Sequence, residues 1–203
     1  MKSEQKKLLC DLSAVFGPSG CECRVAELLM KELSGVCETK TDRMANLICT
    51  LKGKKGSLCL CAPMDECGFM VTDIDDKGYV RVAPTGNADP ACFLAKRFTL
   101  GNEQTTVHGV GGGKVLHLLS GGERSDSPNI EKLFIDLGYE KKEEVEKLIG
   151  KGALVAYEGD FYELPGGYTV GKALDARVPC FLAAETLKAT ARKDESDRPA
   201  LTV

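Results

Sequence analysis

The stretch Leu58-Cys59-Leu60-Cys61-Ala62-Pro63-Met64-Asp65-Glu66-Cys67-Gly68-Phe69-Met70-Val71 divides the chain into two textures. Leu58 to Ala62 is an unbroken apolar run between the polar turn Gly53 to Gly56 and Pro63, a pattern that suits a strand covered on both faces. Proline ends the run because it cannot donate to a strand ladder. Beyond Gly68 the short apolar segments are separated by turn residues, which points to hairpins. Phe69 to Val71 and Tyr79 to Val82 flank Asp75-Asp76-Lys77-Gly78 in that way.

Upstream of the divide the spacing is helical and then extended. Apolar residues at 8, 9, 12, 15 and 16 predict a helix over 6–16, which Gly17-Pro18-Ser19-Gly20 breaks. Val25 to Leu33 predicts a second helix, with acids Glu22 and Glu27 at or near its first turn, where the helix dipole favours them. Val36 to Asp42 and Leu47 to Lys52 read as two strands around Met44-Ala45.

Downstream, Phe93 to Leu100, Thr105 to Val110, Ile130 to Leu137, Leu154 to Tyr157 and Phe161 to Leu164 read as strands. Lys141 to Ile149 reads as a short charged helix with Val145, Leu148 and Ile149 inward. Strands this dense suggest a small barrel or sandwich. Val178 to Ala191 returns to helical character, and Leu201 to Val203 reads as the start of a strand lying near a sheet edge. An α/β texture that gives way to β and then returns marks one domain inserted in another. The expected division is 1–67 plus 168–203 for the α/β part and 68–167 for the β-rich insert.

Composition excludes several classes. Net charge is −3 with acids and bases mixed, so no basic block offers itself to nucleic acid. No run of apolar residues is long enough for a membrane span, and MKSEQKKLLC lacks the apolar stretch of a signal peptide. The 10 cysteines are therefore read as reduced thiols in the cytoplasm. Cys21/Cys23 and Cys59/Cys61 are C-x-C pairs, unlike the C-x-x-C of zinc sites, and read first as small buried hydrophobes. On a strand Cys59 and Cys61 share one face.

Two motifs fail on inspection. Gly109-Val110-Gly111-Gly112-Gly113-Lys114 lacks both the leading glycine and the trailing Ser or Thr of a phosphate loop, and it reads as a plain loop. No G-x-S-x-G elbow exists, and the two histidines, His108 and His117, read as structural or surface residues. His117 stands out because it sits in the apolar run Val115 to Leu119.

Several segments together resemble one family, the tetrahedral or glutamyl-type di-metal aminopeptidases. They are Phe16-Gly17-Pro18-Ser19-Gly20, Asn46-Leu47-Ile48, Ala62 to Val71, Asp89-Pro90, His117-Leu118-Leu119, Leu133 to Gly138, and Gly171-Lys172-Ala173-Leu174-Asp175-Ala176-Arg177. The resemblance covers almost the whole chain but only somewhat over half of a family member. It implies an α/β fold: an incomplete zinc-peptidase-like α/β/α domain interrupted by a barrel-like dimerisation domain. It also implies homo-oligomers, as tetrahedral particles of twelve subunits in the family, and peptides as partners. The family's activity is hydrolysis of N-terminal residues by two divalent metals, zinc or cobalt. Two metals can share a hydroxide and polarise the scissile carbonyl, while a glutamate relays the proton.

Carried over residue by residue, the resemblance implies a damaged centre. Pro63 stands where the family has its first ligand histidine, and proline offers no side-chain donor. Asp65 matches the aspartate that orients that histidine through a hydrogen bond. Asp175 matches the bridging carboxylate and is the one metal ligand that survives, although a helix N-cap is its plainer role. Ala176 stands where the family has another acid, joined through a cis peptide that costs about 3 kcal/mol before a non-proline residue. The remaining ligands and the catalytic glutamate fall beyond Val203 in the family. The expectation is a catalytically impaired relative of a metallo-aminopeptidase. The alternatives are a non-catalytic assembly or interaction relative, a truncated gene product, and a longer protein whose second half is lost by frameshift or an artificial boundary.

Overall fold

The computed structural model describes residues 1–102, 104–114 and 128–203, and it divides into two compact units. The first comprises 1–17, 22–65 and 160–203; the second comprises 18–21 and 66–159. The His117 reading and the His117-Leu118-Leu119 segment lie outside the described residues.

In the first unit, helix α1 (Ser3–Ala14) buries Leu8, Leu9 and Leu12, and α2 (Cys23–Glu32) buries Val25, Ala26 and Leu29. Each set recurs at three- and four-residue spacing, which places it on one stripe of its helix. Strands β1 (Glu38–Thr41) and β2 (Leu47–Leu51) form an antiparallel hairpin. Its turn is held by Asp42, whose carboxylate accepts the Asn46 side-chain amide at 2.9 Å and the Met44 backbone N–H at 2.8 Å. With β3 (Ser57–Cys59) and β12 (Ala200–Thr202) they make a four-stranded sheet in the order β1-β2-β12-β3.

Two expectations change here. Strand β12 is not at an edge: it runs antiparallel to β2 on one side and parallel to β3 on the other. The edge on that side is β3, which is only three residues long and exposed throughout. The run from Leu58 to Ala62 is thus apolar without being covered on both faces: Leu58, Cys59 and Cys61 are exposed, and Leu60 and Ala62 only half-buried.

Helix α4 (Leu174–Ala191) completes the core with Cys180, Phe181, Ala184 and Leu187, packed with the α1 and α2 leucines, Cys49, Leu51 and Leu201. A two-stranded hairpin, β10 (Tyr162–Leu164) and β11 (Tyr168–Val170), also falls in this unit.

The second unit is a closed six-stranded barrel: β4 (Gly68–Ile74), β5 (Val80–Thr85), β6 (Arg97–Gly101), β7 (Thr106–Gly112), β8 (Phe134–Asp136) and β9 (Leu154–Tyr157), in the order β4-β5-β8-β7-β6-β9. Phe69, Phe93 and Phe98 are fully buried inside it. Phe98 packs edge-on to Phe69 at 5.8 Å and tilted against Phe93 at 4.7 Å and Tyr157 at 4.9 Å. Short helix α3 (Lys142–Glu146) contributes Val145, and Ile149 just past it is also buried, but Leu148 points outward and is exposed.

The glycine run is not a loop. Gly109, Gly111 and Gly112 lie inside β7. A Cβ on Gly111 would stand 2.2 Å from the Phe93 carbonyl oxygen, and one on Gly112 would stand 2.5 Å from the Phe134 ring. Glycine is used there because the aromatic lining and a neighbouring backbone leave no room for a side chain.

Candidate functional site

The residues singled out from the sequence, Pro63, Asp65 and Asp175, all belong to the first unit. Pro63 follows the edge strand and is exposed; Asp65 is half-buried. The backbone here is already committed. The Pro63 carbonyl accepts the Cys180 thiol at 3.0 Å, and the Met64 carbonyl accepts a guanidinium N–H of Arg177. A second guanidinium nitrogen of Arg177 donates to the Gly17 carbonyl at 3.3 Å.

Arg177 is fully buried, and these backbone carbonyls are among the groups that hold its charge away from water. It also explains the first resembling segment. A Cβ at residue 17 would come within 2.8 Å of the Arg177 guanidinium and 2.7 Å of Val25, so Gly17 is the hole into which the arginine fits. Sequence reasoning quoted Arg177 as part of a motif without assigning it a role. The signal available was an arginine amid an Ala- and Leu-rich helix.

Asp175 does not cap α4. The cap position is Ala173, held in the left-handed region at φ 54° with no side-chain hydrogen bond, while Asp175 sits exposed in the first turn. An acid there still favours the helix dipole. Pro179 lies within the helix and has no N–H, which leaves the Asp175 carbonyl without its usual donor four residues on. Ala176 is buried, and the peptide joining it to Asp175 is trans.

These residues do not fit a pair of divalent metals. Pro63 has no donor atom in its side chain, and its carbonyl is occupied by Cys180. Ala176 presents a methyl group, and Asp175 supplies one exposed carboxylate. Among the described residues no group of three or more His, Cys, Asp and Glu side chains converges as a metal site needs.

Other motif segments serve the local backbone. Asp89 accepts the Ala91 N–H at 2.9 Å and opens a short 3-10 turn at Pro90–Cys92. Asp136 accepts the Gly138 N–H at 2.8 Å. On the barrel exterior, His108 Nδ1 contacts Glu158 at 2.5 Å, and Thr99 donates to the same carboxylate at 3.1 Å. Thr99 and Glu158 both lie on the Nδ1 side of the imidazole, so the three do not form the relay of a hydrolytic triad. His108 is a surface residue, as expected.

The first unit also carries an open groove of about 310 Å³, lined mostly by apolar groups including Leu29, Leu33, Leu60, Ala62, Met64 and Leu187. Four cysteines, Cys49, Cys59, Cys61 and Cys180, open into it. Burial pushes the Cys49 thiol up to about 12, reinforced by its neighbour Cys37. All ten cysteines are free thiols. Cys59, Cys61, Cys67 and Cys92 are exposed rather than buried, which corrects the reading of the C-x-C pair at 59 and 61 as buried hydrophobes.

Comparison with known proteins places these observations. A relative from Acetivibrio thermocellus is 31% identical over 190 residues, covering 92% of this chain and 54% of the relative. The glutamyl aminopeptidase of Lactococcus lactis subsp. cremoris is 29% identical over 204 residues, 94% of this chain and 55% of that protein. A solved structure of the Pyrococcus horikoshii TET1 peptidase, which can assemble into a tetrahedron or a large octahedral shell, superposes with a TM-score of 0.87 at 26% identity, covering 98% of this chain and 59% of that one. The chain thus spans about half the length of the curated relatives it matches. The sequence pattern of the M42 glutamyl aminopeptidases matches residues 45–201, and with that match spanning most of the chain, the protein belongs to the M42 glutamyl aminopeptidase family.

Proposed function

We propose that residues 1–203 are an M42 scaffold that does not by itself hydrolyse N-terminal residues from peptides. The observation that carries this reading is Pro63: the position where the resemblance expects an imidazole holds a ring with no lone pair to donate, and its carbonyl is tied to Cys180. Asp65 then has no histidine to orient, and Asp175 alone cannot retain the two zinc or cobalt ions that the family's chemistry uses. Peptides remain the substrate class of the family rather than of this chain acting alone. Ten free thiols suit a reducing compartment, which favours the cytoplasm.

The test is hydrolysis of aminoacyl chromogenic amides by the purified chain with added zinc or cobalt. The expected rate is that of buffer with metal; turnover abolished by a chelator would overturn the reading.

A second reading, an assembly or interaction role, is favoured by the barrel. It closes on itself and buries its own aromatic core, so it keeps its shape without a catalytic centre. The similarity to a peptidase that assembles into shells supports self-association through this inserted domain. Light scattering should then show a dimer or larger species at micromolar concentration, and a monomer would count against it.

A further inference from the structure

We propose that Cys59 and Cys61 form a two-coordinate site for a soft monovalent cation, copper(I), on the open edge of the four-stranded sheet. Among the described residues strand β3 pairs with β12 on one side only. The Leu60 N–H donates to the Thr202 carbonyl at 2.9 Å, so the extended pairing continues past Cys59. Alternation along an extended strand therefore puts Cys59 and Cys61 side by side on one face. Both are exposed, and both open into the same groove. The neighbouring Cys61 thiol raises the Cys59 thiol above its ordinary range.

The geometry selects the ion. Zinc in a structural site takes four donors. Among the described residues no third His, Cys, Asp or Glu converges on this pair. A disulfide favours Cα atoms about 5.5–6 Å apart, whereas residues two apart on an extended strand stand about 6.6 Å apart. A metal between the sulfurs spans the wider gap without bending the strand. Thiolate softness then favours copper(I) among common ions, and that ion is stable with two ligands in line. Binding breaks two S–H bonds, forms two S–Cu bonds and releases two protons to solvent. No oxidant or reductant is consumed, and affinity tightens as pH rises.

This site is independent of any peptidase reading. The experiment is an anaerobic copper(I) titration of the full chain against a chromophoric chelator. One equivalent should be withdrawn by the wild type, and Cys59→Ser or Cys61→Ser should weaken that equivalent at least tenfold. Cys10→Ser should leave it unchanged. X-ray absorption of the wild-type complex should report two sulfur neighbours, a readout that needs no variant to fold. Retention of the tight equivalent in the double variant overturns the proposal. So does a coordination number of three or four, or loss of the equivalent in Cys180→Ser, which would move the ion deeper into the groove.

Discussion

The barrel and the four-stranded sheet solve the same problem in opposite ways. In the barrel every strand has two partners, and the ring of pairings leaves no edge. In the sheet, β1 and β3 are edges, and β3 is apolar, exposed and bordered by an open groove. The barrel's interior is aromatic and interlocked, whereas the first unit is held by helix stripes and by one buried arginine gripping backbone carbonyls. A closed surface makes a unit self-sufficient; an open one makes it depend on whatever completes it.

The largest effect should come from the barrel core. Phe98→Ala removes a fully buried ring with three aromatic neighbours, and such truncations cost about 3–5 kcal/mol. Amide exchange in denaturant should show residues 18–21 and 66–159 losing protection while 1–17, 22–65 and 160–203 keep theirs. Equal loss in both would mean that the units unfold as one, and the contrast would fail.

The counterpart in the first unit is Arg177→Met. It strands the Met64 and Gly17 carbonyls in a buried place, at a cost of about 3 kcal/mol. The same exchange measurement should localise the loss to the first unit.

Alkaline titration sharpens the contrast further. Burial raises Cys49 from an ordinary 9.0 to about 12 in the first unit. It raises Tyr157 from 10.0 to about 12 in the barrel. A group whose folded pKa lies above its unfolded one stabilises below the unfolded value and loses that contribution as pH climbs through the folded one. The sheet unit should therefore weaken from about pH 9 and the barrel from about pH 10, both contributions being gone above 12. Cys49→Val should shrink the first phase, to which the raised Cys37 and Cys180 thiols also contribute, and Tyr157→Phe should abolish the second, as followed by circular dichroism against pH. Tyr157→Phe should also be neutral or slightly stabilising at pH 7, because its buried hydroxyl has no partner among the described residues.

The smallest effect concerns Ala173, held at φ 54°. Ala173→Gly relieves a left-handed alanine and should raise stability by up to about 1 kcal/mol in thermal unfolding.

Much of this was legible in the residues. The helical stripe at 8, 9 and 12, the Asp75 to Gly78 hairpin and the β-rich middle follow from periodicity and turn chemistry, which act locally. What escaped depends on neighbours distant in sequence. Gly111 reads as a loop residue until Phe93 is known to lie against it. Leu58 to Ala62 reads as a covered strand because hydrophobicity reports a preference for burial, not whether a cover is present. Asp175 reads as a cap because nothing in the sequence announces that the chain enters α4 through a left-handed alanine. At the candidate centre, Pro63 and Ala176 were visible as chemistry without donors, but the engagement of the Pro63 carbonyl by Cys180 needed the fold.

The most direct test of the central claim is metal stoichiometry. The purified chain should be dialysed with excess zinc or cobalt, desalted and assayed by elemental mass spectrometry. The account predicts no retained zinc or cobalt that Asp175→Asn removes. Two ions per chain, both lost in Asp175→Asn, would contradict it.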